Sequence, residues 1–119
     1  KNWTCKECAA HNQIADLHII SNPKRDLFGY AFYDTVLEKI VLVFRGTIDF
    51  KNEVNDFTYE KIPYTCRGCE VHLGFYEAHK AISKEVYETV QTLLTKYPKA
   101  KVTSTGHSLG AALSTIAAI

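Results

Sequence analysis

A serine stands between two glycines in the pentapeptide Gly106-His107-Ser108-Leu109-Gly110. A G-x-S-x-G pattern is typical of a serine nucleophile that is presented on a sharp turn between a strand and a helix. In such a turn the serine backbone is strained, and the two glycines leave room for neighbouring chain. The pattern predicts that Ser108 attacks a carbonyl carbon. The competing interpretation is a glycine-rich turn that contains an incidental serine.

The elements needed to position Ser108 are predicted on both sides of it. Residues 102–105 have the pattern of a short strand, and the alanine-rich residues 111–119 predict a helix that begins near Leu109. The positive end of that helix dipole would face the hydroxyl group. The N–H of Leu109 would then be available to a developing oxyanion. This context favours the nucleophile over the incidental serine.

The rest of the chain has the pattern of an α/β domain. Residues 40–44 form a continuous apolar run, which fits a strand buried on both faces of a mostly parallel sheet, and residues 28–33 predict a partner strand in a hairpin. Apolar spacing predicts one long helix over residues 76–96, ended by Pro98, and a short helix over residues 8–20. Strand, helix, strand, turn and helix then follow one another as in α/β folds.

Composition narrows the class of protein. The sequence has 119 residues, of which 46% are hydrophobic and 23% charged, as in an ordinary folded domain. A formal charge of +1 is too small to indicate nucleic acid as a partner. The sequence contains no apolar run long enough to span a bilayer. We expect no cofactor and no metal.

Four cysteines form two close pairs, Cys5 with Cys8 and Cys66 with Cys69. Two C-x-x-C pairs can bind zinc, but the pairs of such sites usually lie about 15–20 residues apart. Here 57 residues separate Cys8 from Cys66, so two local disulfides are favoured over zinc. Asn2 begins an N-x-T sequence and is a candidate glycosylation site. Together these features predict a secreted protein.

Three motifs resemble the fungal-type (class 3) triacylglycerol lipases and their feruloyl-esterase relatives. They are Val43-Phe44-Arg45-Gly46-Thr47, His72-Leu73-Gly74-Phe75 and Thr105-Gly106-His107-Ser108-Leu109-Gly110, in the same order and with the same separations. Trp3-Thr4-Cys5 and the following Cys8 match as well. The resemblance covers nearly all of the chain but only about the first half of a typical member. It implies the α/β-hydrolase fold, a mostly parallel sheet with flanking helices, incomplete in this chain.

The resemblance also implies a role for each matched position. Ser108 is similar to the nucleophile, and residues 106–110 to the turn that carries it. Thr47, through its N–H and hydroxyl, and Leu109, through its N–H, are similar to the oxyanion donors. A mobile lid would lie at about residues 48–58, where Glu53 stands in place of the tryptophan of many members. Some members have a local disulfide at each of the two cysteine pairs.

The implied function is carboxylic ester hydrolysis through an acyl-enzyme, with triacylglycerols as the leading substrate. The implied partners are a lipid or another ester as substrate and a lipid–water interface at which the protein could bind it. Feruloyl or other soluble esters are the alternative substrate class. A catalytically silent portion of the hydrolase fold is the alternative to an enzyme.

A serine nucleophile needs a histidine base and a carboxylate that orients it. In α/β-hydrolases both follow the serine, yet none of the eleven residues after Ser108 is Asp, Glu or His. We therefore expect residues 1–119 to be the N-terminal part of a single domain, with the Asp and His supplied by a further segment or a second chain. His72 and His107 are interpreted as structural. By resemblance, Arg45 and Asp56 look like structural partners.

Overall fold

A four-stranded mixed sheet forms the centre of the molecule. The computed structural model describes residues 5–46 and 60–119. The strands are β1 (Ile14–Asn22), β2 (Leu27–Asp34), β3 (Lys39–Phe44) and β6 (Lys101–Gly106), in the spatial order β1-β2-β3-β6. The first three strands are antiparallel neighbours, whereas β3 and β6 run parallel.

A small hairpin and two helices lie between β3 and β6 in the described residues. The hairpin is formed by β4 (Lys61–Pro63) and β5 (Glu70–His72). The helices are α1 (Leu73–Lys80) and α2 (Ser83–Lys96), and a further helix, α3 (Leu109–Ala117), follows β6. Short 3-10 turns occupy Cys8–Ala10 and Pro23–Arg25.

Alternate side chains of β3 anchor the core. Ile40, Leu42 and Phe44 are buried, and the residues between them are half-buried. They form one apolar cluster with Ile20, Leu27 and Ala31 of the neighbouring strands and with Ile82, Val86, Leu93 and Leu113. The last four come from the start of α2, from α2 itself and from α3. This cluster fixes α3, and with it the residues at its N-terminus, against the sheet.

The structure confirms the predicted hairpin of residues 28–33 and 40–44 and the predicted strand before Ser108. The predicted helix over residues 8–20 is wrong. Residues 14–22 form β1, which pairs with β2. Between Ala15 and His18 the register shifts by one extra residue, and Asp16 has a φ of 50°. Such a bulge changes the phase of the inward-facing side chains, so the alternation typical of a strand is lost from the sequence.

The predicted single helix over residues 76–96 is also wrong, because two helices occupy this part of the chain. The first begins at Leu73, where the His72 Nδ1 accepts a hydrogen bond from the Gly74 N–H at 3.1 Å. The break falls at Ala81 and Ile82, and the Ser83 hydroxyl donates to the Lys80 carbonyl oxygen at 3.1 Å. This hydroxyl contact occupies a carbonyl group at the helix end. The apolar stripe continues across the break, so spacing alone could not reveal it.

Asp16 joins β1 to the C-terminal end of α2. Its carboxylate accepts hydrogen bonds from the Lys96 Nζ and from the Tyr97 hydroxyl, whose ring stacks on Tyr33. The bond from Lys96, and after it the bond from Tyr97, lowers the pKa of Asp16 below its ordinary value. A carboxyl group with a lowered pKa stabilises the fold above its unfolded pKa and loses that contribution as the pH falls through the folded value.

We therefore expect Asp16→Asn to lower the melting temperature by a few degrees at pH 7. Asparagine tolerates the left-handed backbone, so the bulge itself is retained. The difference between the two proteins should shrink as the pH falls below about 3.9, the unfolded pKa of aspartate. Thermal unfolding at pH 7, 5 and 3 checks this. A difference in melting temperature that is the same at all three pH values would contradict the role of the ionised carboxylate.

Candidate active site

Ser108 lies on an abrupt turn between β6 and α3. The strand ends at Gly106 and the helix begins at Leu109, so only His107 and Ser108 form the connection. Ser108 has φ 55° and ψ −126°, a combination that non-glycine residues adopt only at a cost of about 1–3 kcal/mol. The strained serine expected from the sequence is therefore present. Its side chain is half-buried, whereas His107 is exposed.

The two glycines of the pentapeptide permit close backbone contacts around this turn. A Cβ atom at Gly106 would overlap the carbonyl group of Gly110, and one at Gly110 would overlap the carbonyl oxygen of Phe44. Both positions must therefore lack a side chain for α3 to approach β6 and β3. The Ser104 hydroxyl of β6 also contacts the Ser114 hydroxyl of α3 at 2.7 Å.

The N-terminus of α3 lies directly after this turn. The N–H groups of Gly110 and Ala111 donate to the carbonyl oxygens of His107 and Ser108, each at 2.9 Å. Leu109 occupies the first helical position, where an N–H has no acceptor inside the helix. An oxyanion beside Ser108 would meet this N–H and the positive end of the helix dipole.

The loop that follows β3 reaches the same turn. Because β3 and β6 are parallel, with Phe44 opposite Gly106, both chains leave the sheet at one edge. A Cβ atom placed on Gly46 would lie 2.7 Å from the His107 carbonyl oxygen and 3.4 Å from the Ser108 Cβ. The backbone of Gly46 therefore lies beside residues 107 and 108, with no room for a side chain at position 46. Sequence reasoning did not identify Gly46, although its place in Arg45-Gly46-Thr47 after a buried strand was a usable signal.

Several predicted positions fall outside the described residues. Thr47, the lid at about residues 48–58, Asp56 and the glycosylation candidate Asn2 belong to this group. Their roles stay predictions.

His72 and His79 both lie against neighbouring parts of the protein. His72 caps α1 and its ring packs on Phe75, with centroids 4.6 Å apart. His79 is half-buried beside α2, and burial lowers the pKa of its imidazole. The surroundings of His72 agree with its interpretation as a structural residue.

The four cysteines form the two local disulfides that the sequence favoured. Cys5 pairs with Cys8 and Cys66 with Cys69, with Cα–Cα distances of 4.9 and 5.2 Å. The second closes the tip of the β4–β5 hairpin. Because all four sulfur atoms are paired, the zinc interpretation is wrong. Within residues 5–46 and 60–119, no helix is both long and apolar enough to cross a bilayer.

Comparison with known proteins agrees with this geometry. The family described as Lipase (class 3) matches residues 41–119, more than half of the chain. A lipase from Rhizopus niveus is 33% identical over an alignment of 119 positions that covers 97% of this chain and 30% of that protein. A secreted mono- and diacylglycerol lipase A from Penicillium cyclopium is 30% identical over 115 residues, 96% of this chain and 38% of that protein.

Solved structures of fungal lipases are also similar to this chain. The Rhizomucor miehei triacylglyceride lipase superposes with a TM-score of 0.86 at 30% identity, over 98% of this chain and 44% of that one. Lipase II from Rhizopus niveus superposes with a TM-score of 0.85 at 31% identity, again over 98% and 44%. The chain thus spans less than half the length of these relatives. It belongs to the class 3 lipase family and has the α/β-hydrolase fold of the fungal lipases.

Proposed function

We propose that residues 1–119 carry the nucleophile of a carboxylic ester hydrolase that acts on lipid esters, with triacylglycerols as the leading substrate. The observation that carries the proposal is the conformation of Ser108, which is held at φ 55° between a strand and a helix. Strain of this kind persists only where the surrounding structure enforces it, and it is concentrated at functional sites. The name of each relative, lipase or mono- and diacylglycerol lipase, supports an acylglycerol substrate.

In the proposed reaction the Ser108 Oγ attacks the ester carbonyl carbon while its proton passes to a histidine base. The carbonyl oxygen becomes an oxyanion, which accepts hydrogen bonds from the N–H groups of Leu109 and Thr47 and from the Thr47 hydroxyl. The bond to the leaving alcohol then breaks, the alcohol takes the proton from the histidine, and an acyl-enzyme remains. A water molecule then attacks the acyl carbonyl carbon and gives a proton to the histidine. The bond to the Ser108 Oγ breaks, the Oγ takes the proton from the histidine, and the fatty acid leaves.

Thr47 is proposed as a donor because the resemblance implies it and because it follows Gly46, whose backbone lies beside residues 107 and 108. The histidine and its carboxylate partner are proposed to come from outside residues 1–119. We further propose that residues 1–119 belong to a single domain, with a lid at about residues 48–58 and the nucleophile turn at residues 106–110.

We also propose that the protein is extracellular and that Asn2 is its glycosylation site. The Cys5–Cys8 disulfide, in which Cys5 is exposed, needs an oxidising compartment to form and persist. The Penicillium relatives are named as secreted lipases, which supports the same location.

A fluorophosphonate probe tests the proposed nucleophile. The full-length protein should gain the mass of one phosphonyl group, and peptide mapping should place it on Ser108, since only an activated hydroxyl reacts. An unlabelled but folded protein would favour the alternative of a silent hydrolase fold.

The substrate class is tested with a triglyceride emulsion. We expect the hydrolysis rate to rise once the substrate concentration exceeds the solubility limit and an emulsion forms. Glu53→Trp should enlarge that rise, because it adds apolar surface to the proposed lid. Glu53→Gln is the control, since it removes the charge without adding apolar surface. Rapid hydrolysis of soluble p-nitrophenyl or feruloyl esters with no rise at the emulsion would favour the soluble-ester alternative.

A further inference from the structure

Strand β1 lies at one end of the sheet, so within the part of the chain that the structure describes it has a neighbouring strand on one side only. That neighbour is β2, where Phe28 lies opposite Ser21. The Phe28 carbonyl oxygen accepts a hydrogen bond from the Arg45 N–H, on the side of β3. Because backbone groups alternate in direction along antiparallel strands, Ser21 turns its N–H away from β2, and so does Ile19. These N–H groups form the open edge of the sheet.

The open edge of β1 has the composition of a strand that pairs readily. Residues 17–21 contain no Asp, Glu, Lys or Arg, and three of the five are Leu or Ile. The Ile19 side chain is 37% exposed, whereas Ile20 is buried in the core. An apolar, uncharged strand edge is a template for pairing with another chain. Two copies of β1 can meet antiparallel about a twofold axis, so the partner that this edge fits is a second copy of the chain.

The first turn of α2 occupies one of the outward N–H groups. The Ser21 N–H donates a hydrogen bond to the Glu85 Oε2 at 3.2 Å. Glu85 lies in the first turn of α2, and Val86 and Leu93 of the same helix belong to the buried apolar cluster. The helix is thus fixed on the core face of the sheet, and its Glu85 carboxylate reaches the edge of β1. A backbone donor that a carboxylate occupies is not available to an incoming strand.

The last residue of α2 holds the other end of β1. The Lys96 Nζ lies 2.8 Å from the Asp16 Oδ1 and 2.7 Å from its Oδ2, and the Tyr97 hydroxyl donates to the same carboxylate. Asp16 stands at the bulge of β1, with a φ of 50°. A bulge and a charged side chain both interrupt the regular spacing that a second strand would need.

The spacing of the two contacts matches along the helix and the strand. From Glu85 to Lys96 the helix rises by about 16 Å. From Asp16 to Ser21 the strand rises by about the same 16 Å. The helix begins beside Ser21 and ends beside Asp16, so α2 runs antiparallel to β1. One helix therefore reaches both ends of the uncharged stretch of open edge.

We propose that Glu85 and Lys96 guard the open edge of β1 and keep the protein monomeric, and that without these contacts the edge pairs with a second copy of the chain. The inference does not depend on the proposed ester hydrolysis, because β1 and the strand that precedes Ser108 lie at opposite ends of the sheet. Each chain should therefore keep its hydrolytic rate in variants that associate.

The guard is tested with the full-length protein by size-exclusion chromatography and light scattering, at concentrations up to about 100 µM. Glu85→Ala combined with Asp16→Gly, here called the unguarded variant, removes both contacts. Alanine preserves the helix, and glycine tolerates the left-handed backbone at position 16. We expect the mass of the unguarded variant to rise with concentration toward twice that of the monomer, whereas the wild type stays monomeric.

Glu88→Ala combined with Asp26→Gly is the matched control. The Glu88 carboxylate lies on the same helix, 3.8 Å from the Lys84 Nζ, and Asp26 has a φ of 48°. The control therefore removes two equal charges at equivalent backbone positions without touching either contact between α2 and β1. It should remain monomeric over the same range of concentrations.

A proline at position 19 tests whether association uses this edge. Because the Ile19 N–H points away from β2, Ile19→Pro spares the pairing with β2 and removes a donor that a second copy would use. Added to the unguarded variant, it should restore the monomer. Ile19→Lys places a charge on the edge without changing the backbone and should have the same effect. Thermal unfolding of each variant establishes that it is folded.

Three results would overturn the proposal. The first is a folded unguarded variant that stays monomeric throughout. The second is equal association of the control, which would show an effect of net charge. The third is association that survives both Ile19→Pro and Ile19→Lys, which would place the contact between copies elsewhere than on β1.

Discussion

Ser108→Ala is expected to reduce ester hydrolysis by the full-length protein by at least about 10⁴-fold. The hydroxyl forms the covalent bond to the acyl group, and no other group in the proposed mechanism can replace it. Alanine has nearly the same backbone preferences as serine, so the strain at φ 55° is unchanged and the melting temperature should stay the same. Initial rates on a p-nitrophenyl ester, together with thermal unfolding, measure both quantities.

Ser114→Ala is the matched control for this prediction. Ser114 lies on the same helix, and its hydroxyl contacts the Ser104 hydroxyl rather than the proposed site. We expect this variant to keep most of its activity. Comparable loss of activity in both serine variants would show that disturbance of α3, and not removal of a nucleophile, explains the effect.

Gly110→Ala is expected to destabilise the protein by about 2–4 kcal/mol and to lower activity strongly. Inside an exposed helix, alanine in place of glycine would normally stabilise by up to about 1 kcal/mol. At this position the new Cβ would overlap the Phe44 carbonyl oxygen, a backbone atom of the buried strand β3. The first turn of α3 must therefore move away from β3, and Ser108 moves with it.

Urea unfolding of Gly110→Ala beside Ala111→Gly tests this contact. Ala111 is exposed on the same turn, so its change to glycine should cost only about 0.5–1 kcal/mol and leave the site in place. If Gly110→Ala proved as stable as the wild type, the close approach of α3 to β3 would be refuted.

The parts of the fold that local sequence determines were predictable. The strand-to-helix turn at Ser108 needs two glycines at fixed positions. The short continuous apolar run of β3 is typical of a buried strand. The bulge in β1 and the break between α1 and α2 were not predictable. The left-handed Asp16 depends on the pairing of β1 with β2, and the Ser83 hydroxyl contact is local, but neither interrupts the apolar spacing.

Part of the candidate site was likewise predictable from local sequence, and part was not. Ser108 and Leu109 follow from a five-residue pattern, and Thr47 was identified only through the resemblance. The close approach of Gly46 to the backbone of residues 107 and 108 joins two distant parts of the chain. It depends on the parallel pairing of β3 with β6, which no local pattern in the sequence encodes.

The most direct test of the proposed chemistry is a crystal structure of the full-length protein after reaction with an alkyl fluorophosphonate, which loses fluoride when the serine oxygen attacks phosphorus. We expect a bond from phosphorus to the Ser108 Oγ and a phosphoryl oxygen about 2.7–3.1 Å from the backbone nitrogens of residues 109 and 47. Phosphorus attached to another residue, or a phosphoryl oxygen turned away from both nitrogens, would contradict the account.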